Sequence, residues 1–297
     1  MSARFLLLGG AGQVGTEIRA IARPKNIDVV APTRDELNLR DSPAIIETLE
    51  SGNWSVVINA AAFTDVDRAE QEVPTAVAVN TDGPKQLALE TGRLGIPLIH
   101  ISTDYVFDGK KGAPYAEEDR EAPLNVYGRS KLDAEREIRK ANLRHVILRT
   151  SWVFSPHRRN FVKTILRLAK TRGRLTIVAD QRGCPTGADS IANVCLDIAS
   201  RSGLDANSGT YGTYHFAGMD GTTWFDFARA IVEIAGPRLG RSPEVVPIKS
   251  NEYPTPAIRP HDTRLNCSKI LRVFGIKQPA WHSSLEKTID HLLESES

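Results

Sequence analysis

The stretch that decides the fold is FLLLGGAGQVG, residues 5–15. Four apolar residues that end at a glycine are typical of a buried parallel strand. Gly9, Gly12 and Gly15 follow, and residues 13–22 have the pattern of a helix. Glycine lets the backbone turn tightly and approach a pyrophosphate, and a helix N-terminus offers free N–H groups. This strand–turn–helix context predicts a nucleotide-binding loop, although glycine triplets also occur in ordinary tight turns.

Strand-like and helix-like segments alternate through the first half of the chain. The patterns predict strands at 5–8, 27–30, 56–59, 97–101 and 145–148, and helices at 13–22, 75–95 and 127–140. Such alternation predicts an α/β fold with a doubly wound parallel sheet of the Rossmann type. We therefore expect a dinucleotide-binding domain at residues 1–150.

The pattern loosens after residue 150. Helices are predicted at 160–171, 189–200 and 284–293, with a strand at 175–178 and a further helix that begins at Thr223. Thr223 and Asp226 resemble a capping box in which Asp replaces the usual Glu. We expect residues 151–297 to form a second, smaller α/β lobe whose segments interleave with the first domain.

The composition excludes several classes of function. The chain has 297 residues, 41% of them hydrophobic and 25% charged, and its net charge of +2 gives no basic excess for nucleic acid. Three widely separated cysteines argue against a disulfide framework and a zinc site. We see neither a signal peptide nor a run of roughly 18 apolar residues, so a cytoplasmic protein without a membrane partner is expected.

The end of the second predicted strand indicates the cofactor. NAD-selective sites usually place an acidic residue there, whereas this chain has Thr33 and Arg34. A hydroxyl and a guanidinium suit a 2′-phosphate, which predicts NADPH, with NADH as an alternative. The other interpretation is that Arg34 is a solvated loop residue, since Asp35 follows it directly. Ala61 and Ala62, after the third strand, leave room for a flat cofactor or simply pack a core.

Tyr127 and Lys131 lie one helical turn apart, so one helix face carries a phenol and an ammonium. Thr103 ends a predicted strand, at the edge where open α/β sheets bind ligands. This combination predicts reduction of a carbonyl, with Tyr127 as the acid and Thr103 holding the carbonyl oxygen. Moving a phenol pKa from about 10 to about 7 requires about 4 kcal/mol, and Lys131 together with an oxidised or reacting nicotinamide is expected to supply much of it. A solvated helix face and a strand-end threonine are the alternative interpretation.

Longer runs resemble the dTDP-4-dehydrorhamnose reductase family of extended short-chain dehydrogenase/reductases. These runs are STDYVFDG at 102–109, PLNVYG at 123–128, RTSWVF at 149–154, QRGCPT at 181–186 and YPTPA at 253–257. The resemblance implies NADPH-dependent reduction of the C4 keto group of dTDP-4-dehydro-L-rhamnose. That reaction is the last step of dTDP-L-rhamnose synthesis, which feeds polysaccharide synthesis. It also implies that the second lobe binds the sugar nucleotide and that the protein is a homodimer.

The resemblance also assigns residues. It implies that the catalytic residues are Thr103, Tyr127 and Lys131. It implies substrate contacts at Thr103, Asp104, Trp152, Gln181 and Arg259. It implies cofactor contacts at Gly12, Gln13, Val14, Asn38, Leu39, Ala61, Ala62 and Phe63. The loop, strand-end and helix-face arguments add Gly9, Gly15, Thr33, Arg34, Tyr127 and Lys131 to the predicted cofactor contacts. The other interpretation is that Trp152 is simply core and that Arg259 is a surface residue; Phe63 stands where the family often has His.

Some members of the family bind magnesium through acidic residues at a subunit contact. Glu17, Asp189 and Asp290 lie at corresponding places and are the candidate ligands. Two of them are Asp where known binders have Glu, and a shorter side chain reaches less far. Solvated helix acids are the alternative interpretation of all three.

Two rival functions remain open at the level of sequence. One is another extended-family sugar-nucleotide epimerase or dehydratase. Dehydratase-like members tend to have Glu after the Asp of this motif, whereas here Tyr105 follows Asp104. The other rival is a non-catalytic subunit similar to the regulatory subunit of methionine adenosyltransferase, against which the intact catalytic residues argue.

Overall fold

The computed structural model of the protein describes residues 3–201 and 210–294. Its strands are β1 (Arg4–Leu8), β2 (Asp28–Val30), β3 (Val56–Asn59), β4 (Leu98–Thr103), β5 (His145–Thr150), β6 (Val153–Phe154), β7 (Arg174–Val178), β8 (Arg182–Gly183), β9 (Thr186–Gly187), β10 (Gly212–His215), β11 (Thr222–Thr223) and β12 (Glu244–Ile248). Its α-helices are α1 (Gln13–Ala22), α2 (Ser42–Ser51), α3 (Val66–Gln71), α4 (Val73–Val77), α5 (Gly83–Arg93), α6 (Val126–Ala141), α7 (Phe161–Ala169), α8 (Ala188–Arg201), α9 (Trp224–Leu239), α10 (Ser268–Phe274) and α11 (Trp281–Glu294).

A six-stranded sheet forms the centre of the molecule. Its strand order is β10-β5-β4-β3-β1-β2, and every pairing is parallel. The chain passes from β1 outward to β2 and then crosses back to β3 on the other side of β1. This reversal creates the crevice at which open α/β sheets bind ligands. The predicted doubly wound sheet is therefore confirmed.

Helices cover both faces of the sheet because its strands are apolar on both sides. Phe5 and Leu7 of β1 face one core, which α1 and α8 share, while Leu6 and Leu8 face a second core formed with α2, α5 and α6. Alternate side chains of a strand point to opposite faces, so a continuous apolar run must be buried twice. This arrangement makes the sheet the rigid element from which the site is built.

The predicted helix at 75–95 is built from three pieces. α4 and α5 flank a π-helical segment, Ala78–Asp82, and the chain is helical without interruption from 73 to 93. Asn80 lies in this segment and is fully buried. Its amide bonds the N–H and the carbonyl of Phe63, at 2.7 and 3.1 Å, and the hydroxyl of Ser130 at 3.1 Å. The segment thus connects the loop after β3 to α6.

The second half contributes to both lobes. β10 pairs with β5 in the central sheet, and α8 packs on α1. A separate apolar core lies among α7, α9 and α11, beside the parallel pair β7 and β12. Segments of the second half therefore lie in the central sheet and also form a separate core. The boundary at residue 150 stays a prediction.

Several local predictions can be compared with the structure. β10 and β12, together with the two-residue strands, lie where no strand was predicted. Thr223 caps α9 by accepting from the N–H of Asp226 at 3.0 Å. The carboxylate of Asp226 accepts from the Thr223 hydroxyl at 2.6 Å. In a capping box it would accept from the backbone N–H of Thr223 instead. None of the helices within residues 3–201 and 210–294 combines the length and apolar character needed to cross a bilayer.

Candidate active site

The glycine loop lies where the order of the strands reverses. Gly9 has φ of +81°, and a Cβ there would stand 2.6 Å from the amide nitrogen of Ala61, at the end of β3. A Cβ on Gly15 would collide with the carbonyl oxygen of Gly9. Both positions therefore require glycine, one for its left-handed conformation and both for the close approach of backbone. The loop has the geometry that dinucleotide-binding turns need.

The N-terminus of α1 points its N–H groups out of this loop. Gly12 is the N-cap and has no side chain with which to bond these groups. The free donors and the helix dipole favour a phosphate group there. The side chain of Gln13 is already engaged, since its Oε1 accepts from Ser155 at 2.9 Å and from Asn160 at 3.0 Å. Gln13 therefore fixes the loop to the second half, and Val14 is buried in the core.

The end of β2 carries a carboxylate that the sequence argument did not weigh. The Thr33 N–H donates to Glu36 Oε2 at 2.7 Å, and this bond lowers the pKa of Glu36. Thr33 and Arg34 are both exposed. The negative charge of Glu36 therefore lies beside the two residues predicted to bind a 2′-phosphate. It repels a phosphate and so opposes the attraction that Arg34 exerts on it.

The remaining predicted cofactor positions border the same crevice. Leu39 is buried in the core, and its carbonyl oxygen packs against Gly83 at the start of α5. The carboxamide of Asn38 accepts from the N–H of Arg40 at 3.0 Å. Ala61 donates its N–H to Asn59, and Phe63 is held by Asn80. The loop after β3 is thus fixed by two buried asparagines, which the alanine-rich sequence does not indicate.

The three predicted catalytic side chains converge at the carboxyl edge of the sheet. Thr103 is the last residue of β4, and its hydroxyl bonds that of Tyr127. α6 begins after Asn125, whose side chain accepts from the N–H of Gly128 at 2.8 Å and so caps the helix. Tyr127 and Lys131 follow on one face of α6. Lys131 is buried, with 1% of its surface exposed.

Lys131 is anchored by β4. Its Nζ lies 2.7 Å from the carbonyl oxygen of Ile101 and 3.0 Å from Nε2 of His100. His100 in turn lies 3.1 Å from Nδ2 of Asn59. Neither His100 nor Asn59 was singled out from the sequence. The signal was present, because His100 and Ser102 place polar groups at alternate positions of an otherwise apolar strand.

The electrostatics of Tyr127 differ from the expectation. Burial raises the pKa of Tyr127 to about 12; the hydrogen bond between Thr103 and Tyr127 lowers it, and the Asp104 carboxylate raises it. Lys131 is directed to His100 and Ile101 instead, and burial lowers its own pKa to about 8. Lys131 is not among the groups that shift the pKa of Tyr127 in the chain by itself, and the predicted shift to about 7, which includes the nicotinamide, stays a prediction. The phenol keeps its proton at neutral pH.

Asp104 is a buried carboxyl group beside these hydroxyls. Burial raises its pKa from 3.8 to about 6, against bonds from Thr263, Thr103 and Ser151 that lower it. The Thr263 hydroxyl donates to Oδ2, and that of Thr103 donates to Oδ1 at 3.1 Å. Thr263 comes from the C-terminal half and was not predicted as a site residue. The C-terminal segment therefore helps to hold Asp104 in the site.

A buried ion pair fixes α6 against the sheet. Glu135 and Arg149 are both fully buried, and their Oε2 and Nη2 atoms are 2.6 Å apart. Ser102 also donates to Glu135 Oε1 at 2.6 Å, and Arg149 donates to Glu121 at 2.8 Å. Glu135 lies one turn after Lys131, so this network holds the face of α6 that carries Tyr127 and Lys131 at the edge of β4.

The predicted substrate contacts lie in segments that border this site. Trp152, whose φ is +46°, stacks on Trp224 with ring centroids 3.4 Å apart, so one face of its indole is covered. Gln181 is buried just before β8. Arg259 bonds both carboxylate oxygens of Asp67, at 3.0 and 2.7 Å. If Arg259 binds the diphosphate as predicted, it does so while its guanidinium is paired with Asp67.

The predicted magnesium ligands are engaged separately. Glu17 pairs with His157 at 3.1 Å, Asp290 pairs with Arg238 at 2.6 Å, and Asp189 accepts from Ser284 at 3.1 Å. In the part of the chain that the structure describes, no three His, Cys, Asp or Glu side chains cluster as a metal site. The three carboxylates do not fit a magnesium site within one chain, and the magnesium prediction has no support.

Comparison with known proteins agrees with this geometry. Residues 3–294 match the family model described as the RmlD substrate binding domain. A dTDP-4-dehydrorhamnose reductase of Sinorhizobium fredii is 42% identical, over 98% of each chain.

Two crystal structures superpose closely on the chain. A dTDP-4-dehydrorhamnose reductase of Clostridium acetobutylicum has a TM-score of 0.90 and 34% identity, and the match covers 97% of this chain and 99% of that one. The Bacillus anthracis enzyme of the same name, in complex with NADP, has a TM-score of 0.90 and 30% identity, over 98% and 100%. The chain therefore belongs to the dTDP-4-dehydrorhamnose reductase family.

Proposed function

We propose that the protein uses NADPH to reduce the C4 keto group of dTDP-4-dehydro-L-rhamnose, which yields dTDP-L-rhamnose. It is then an NADP-dependent oxidoreductase that performs the last step of dTDP-L-rhamnose synthesis. One observation carries the proposal. The Thr103 and Tyr127 hydroxyls and the Lys131 amine converge at the carboxyl edge of the sheet. They do so in a chain that is similar to named reductases of this sugar nucleotide over nearly its whole length.

The crevice has the features that a dinucleotide requires. The uncapped N-terminus of α1 suits the pyrophosphate, and the close approach of Gly9 to β3 leaves no room for a side chain beneath it. Thr33 and Arg34 are the proposed contacts for the 2′-phosphate, and Lys131 is the proposed anchor for the nicotinamide ribose. NADPH, when bound, supplies the hydride.

The proton comes from Tyr127. Hydride addition to C4 leaves a negative charge on the former carbonyl oxygen, and the phenol gives its proton to that oxygen as the new hydroxyl forms. The raised pKa of about 12 keeps Tyr127 protonated until that charge develops. Thr103 holds the carbonyl oxygen against Tyr127 by turning its hydroxyl proton from Asp104 Oδ1 to that oxygen.

The sugar nucleotide is assigned to the cleft between the two lobes. Asp104, held by Thr263, is the proposed partner of a sugar hydroxyl, and Trp152 and Gln181 lie on the proposed path of the substrate. Arg259 is the proposed contact of the diphosphate, since a guanidinium suits phosphate oxygens. The paired Asp67 carboxylate cancels part of the positive charge of Arg259. We therefore expect Arg259 to contribute only modestly to the binding of the diphosphate.

The test is to follow NADPH absorbance with enzymatically made dTDP-4-dehydro-L-rhamnose and to identify the product. We expect NADPH to be consumed in proportion to the dTDP-L-rhamnose formed, and Tyr127→Phe to abolish most of this signal. A different product from a panel of keto-sugar nucleotides would favour an epimerase or dehydratase. Absence of NADPH oxidation with every sugar nucleotide, together with co-purification of a synthetase, would favour a non-catalytic subunit.

A further inference from the structure

The connection from β6 to α7 lies against the glycine loop of the first half. Ser155 and Asn160, in this connection, donate to Oε1 of Gln13 at the start of α1, at 2.9 and 3.0 Å. Arg158 lies between them in the chain, and its Nε donates to the carbonyl oxygen of Ala11 at 2.7 Å. The glycine loop is therefore contacted by a basic side chain that comes from 147 residues further along the chain.

Most of the guanidinium of Arg158 is unused within the chain. A guanidinium has five N–H donors, and within residues 3–201 and 210–294 only the one on Nε has a partner. Across the same residues Arg158 pairs with no carboxylate, and its side chain is exposed. The two terminal NH₂ groups are therefore available to a ligand at the glycine loop.

The surroundings of this guanidinium are positive. Ala11 comes two residues before α1, so Arg158 lies next to the N-terminus of that helix, which is the positive end of its dipole. The first turn of α1 has no acidic residue, and no side chain caps it. Glu17, in the second turn, is paired with His157 at 3.1 Å. Two positive groups that lie side by side repel each other, and an anion bound between them relieves that repulsion.

The backbone of Arg158 is in the left-handed region. Its φ is +54°, a conformation that glycine adopts more easily than arginine. Residues that are held in such conformations are concentrated at functional sites. Since the backbone at this position suits glycine better, the use of an arginine lies in its side chain.

We propose that Arg158 is a further cofactor-binding residue, and that its terminal NH₂ groups bind the pyrophosphate of the dinucleotide against the N-terminus of α1. A guanidinium can bond two phosphate oxygens through parallel N–H groups, which suits a diphosphate. NADPH and NADH share the pyrophosphate, so Arg158 adds affinity for both, whereas Arg34 is assigned to the 2′-phosphate. This role rests on the proposed function, since it needs a dinucleotide in the crevice.

The direct test measures the binding of NADPH and of NADH by fluorescence titration, without any sugar nucleotide. Arg158→Gly removes the guanidinium and at the same time suits the left-handed backbone. We expect it to raise Kd by about tenfold for both dinucleotides at low ionic strength. Arg159→Gly is the matched control, because Arg159 is the next residue, is also exposed and does not bond the glycine loop. Its Kd values should change by less than about twofold.

Urea unfolding separates this role from a structural one. If Arg158 serves only to fasten its connection to Ala11, the free Arg158→Gly protein should unfold at a lower urea concentration than the wild type. We expect an unchanged or higher midpoint, because glycine tolerates the positive φ. Saturating NADPH should then raise the midpoint less in Arg158→Gly than in the wild type. A lower midpoint together with an unchanged Kd would overturn the proposal.

The titrations also decide which phosphate is bound. A loss of affinity for NADPH alone would contradict the proposal, because it would place Arg158 at the 2′-phosphate. Equal Kd values in the wild type and Arg158→Gly would exclude any contact with the cofactor. If the wild-type protein binds neither dinucleotide, the proposed function fails, and the role of Arg158 fails with it. A wild type that binds both dinucleotides but reduces no sugar nucleotide contradicts the proposed reaction and leaves the result for Arg158 standing.

Discussion

The surroundings of Tyr127 suit it to its proposed role as proton donor. Burial and the Asp104 carboxylate hold its pKa at about 12, above the usual value for a phenol. An acid that keeps its proton at neutral pH is suited to reduction, because it delivers the proton only when charge develops on the carbonyl oxygen. A lowered pKa, which the sequence suggested, would suit the oxidative direction better.

Tyr127→Phe should keep NADPH binding and lose most turnover. The substitution removes one hydroxyl from a ring that packs against Tyr105, with the centroids 6.0 Å apart, so the cofactor crevice stays intact. Loss of a general acid lowers kcat by about 10²-fold or more. Fluorescence titration with NADPH and steady-state kinetics measure the two effects. Near-normal kcat would exclude Tyr127 as the acid.

Arg34 and Glu36 should act on cofactor choice in opposite directions. Arg34→Ala removes a cation and is expected to weaken NADPH more than NADH, by about twofold to fivefold because the site is exposed. Glu36→Gln removes an anion beside Thr33 and should favour NADPH. The ratio of kcat/KM for the two cofactors measures both effects. Equal changes for both cofactors would remove the argument for a 2′-phosphate site.

Asp104 should make stability depend on pH. The pKa of Asp104 in the folded protein is about 6, above the ordinary 3.8. Its favourable contribution to the free energy of unfolding is therefore complete below about pH 4 and is lost as pH rises through about 6. Asp104→Asn lacks this titration. Relative to the variant, the wild type should lose about 3 kcal/mol of unfolding free energy between about pH 4 and about pH 7. Urea unfolding at both pH values measures the difference, which would stay constant if Asp104 titrates normally.

At the scale of elements, the start of α6 positions the acid. Asn125 caps the helix two residues before Tyr127, and its Nδ2 also donates to the carbonyl of Ile258 at 2.9 Å. The cap therefore connects the catalytic helix to the C-terminal segment. A change there should affect chemistry as well as stability.

Asn125→Ala should cost about 1 kcal/mol of unfolding free energy and lower kcat by about tenfold. Asp41→Ala is the matched control, because Asp41 caps α2 through the N–H of Ala44, at 3.1 Å, in a helix that contributes no candidate site residue. We expect a similar loss of stability in the control, with kcat unchanged. A normal kcat in Asn125→Ala would show that the cap serves stability alone.

The elements that the sequence predicted are those with a strong local signal. β1, β3 and β5 are apolar runs, and α1 follows a glycine loop, so the patterns identify each of them. β10 is four residues long and owes its place to pairing with β5, a contact between segments about 60 residues apart. The π-helical segment at Ala78–Asp82 depends on the buried partners of Asn80. Local propensity contains neither kind of information.

At the scale of the whole molecule, the site is assembled from segments distant in the chain. Thr263 reaches Asp104, Arg259 reaches Asp67, and Ser155 reaches Gln13. The sequence indicated the catalytic side chains by their type and spacing. It could not indicate the partners that hold them, because such contacts form only when both lobes have folded. His100 and Glu36 were missed although their signals are local: His100 interrupts an apolar strand, and Glu36 lies three residues from Thr33.

These cross-links join the first half of the chain to the second, which the proposed hydride transfer to a sugar carbonyl requires. The direct test uses NADPH that carries deuterium at the transferred position, with dTDP-4-dehydro-L-rhamnose as substrate. We predict dTDP-L-rhamnose with one deuterium at C4, by mass spectrometry and NMR. A product without deuterium at C4, or one that still carries the ketone, would contradict reduction by this site.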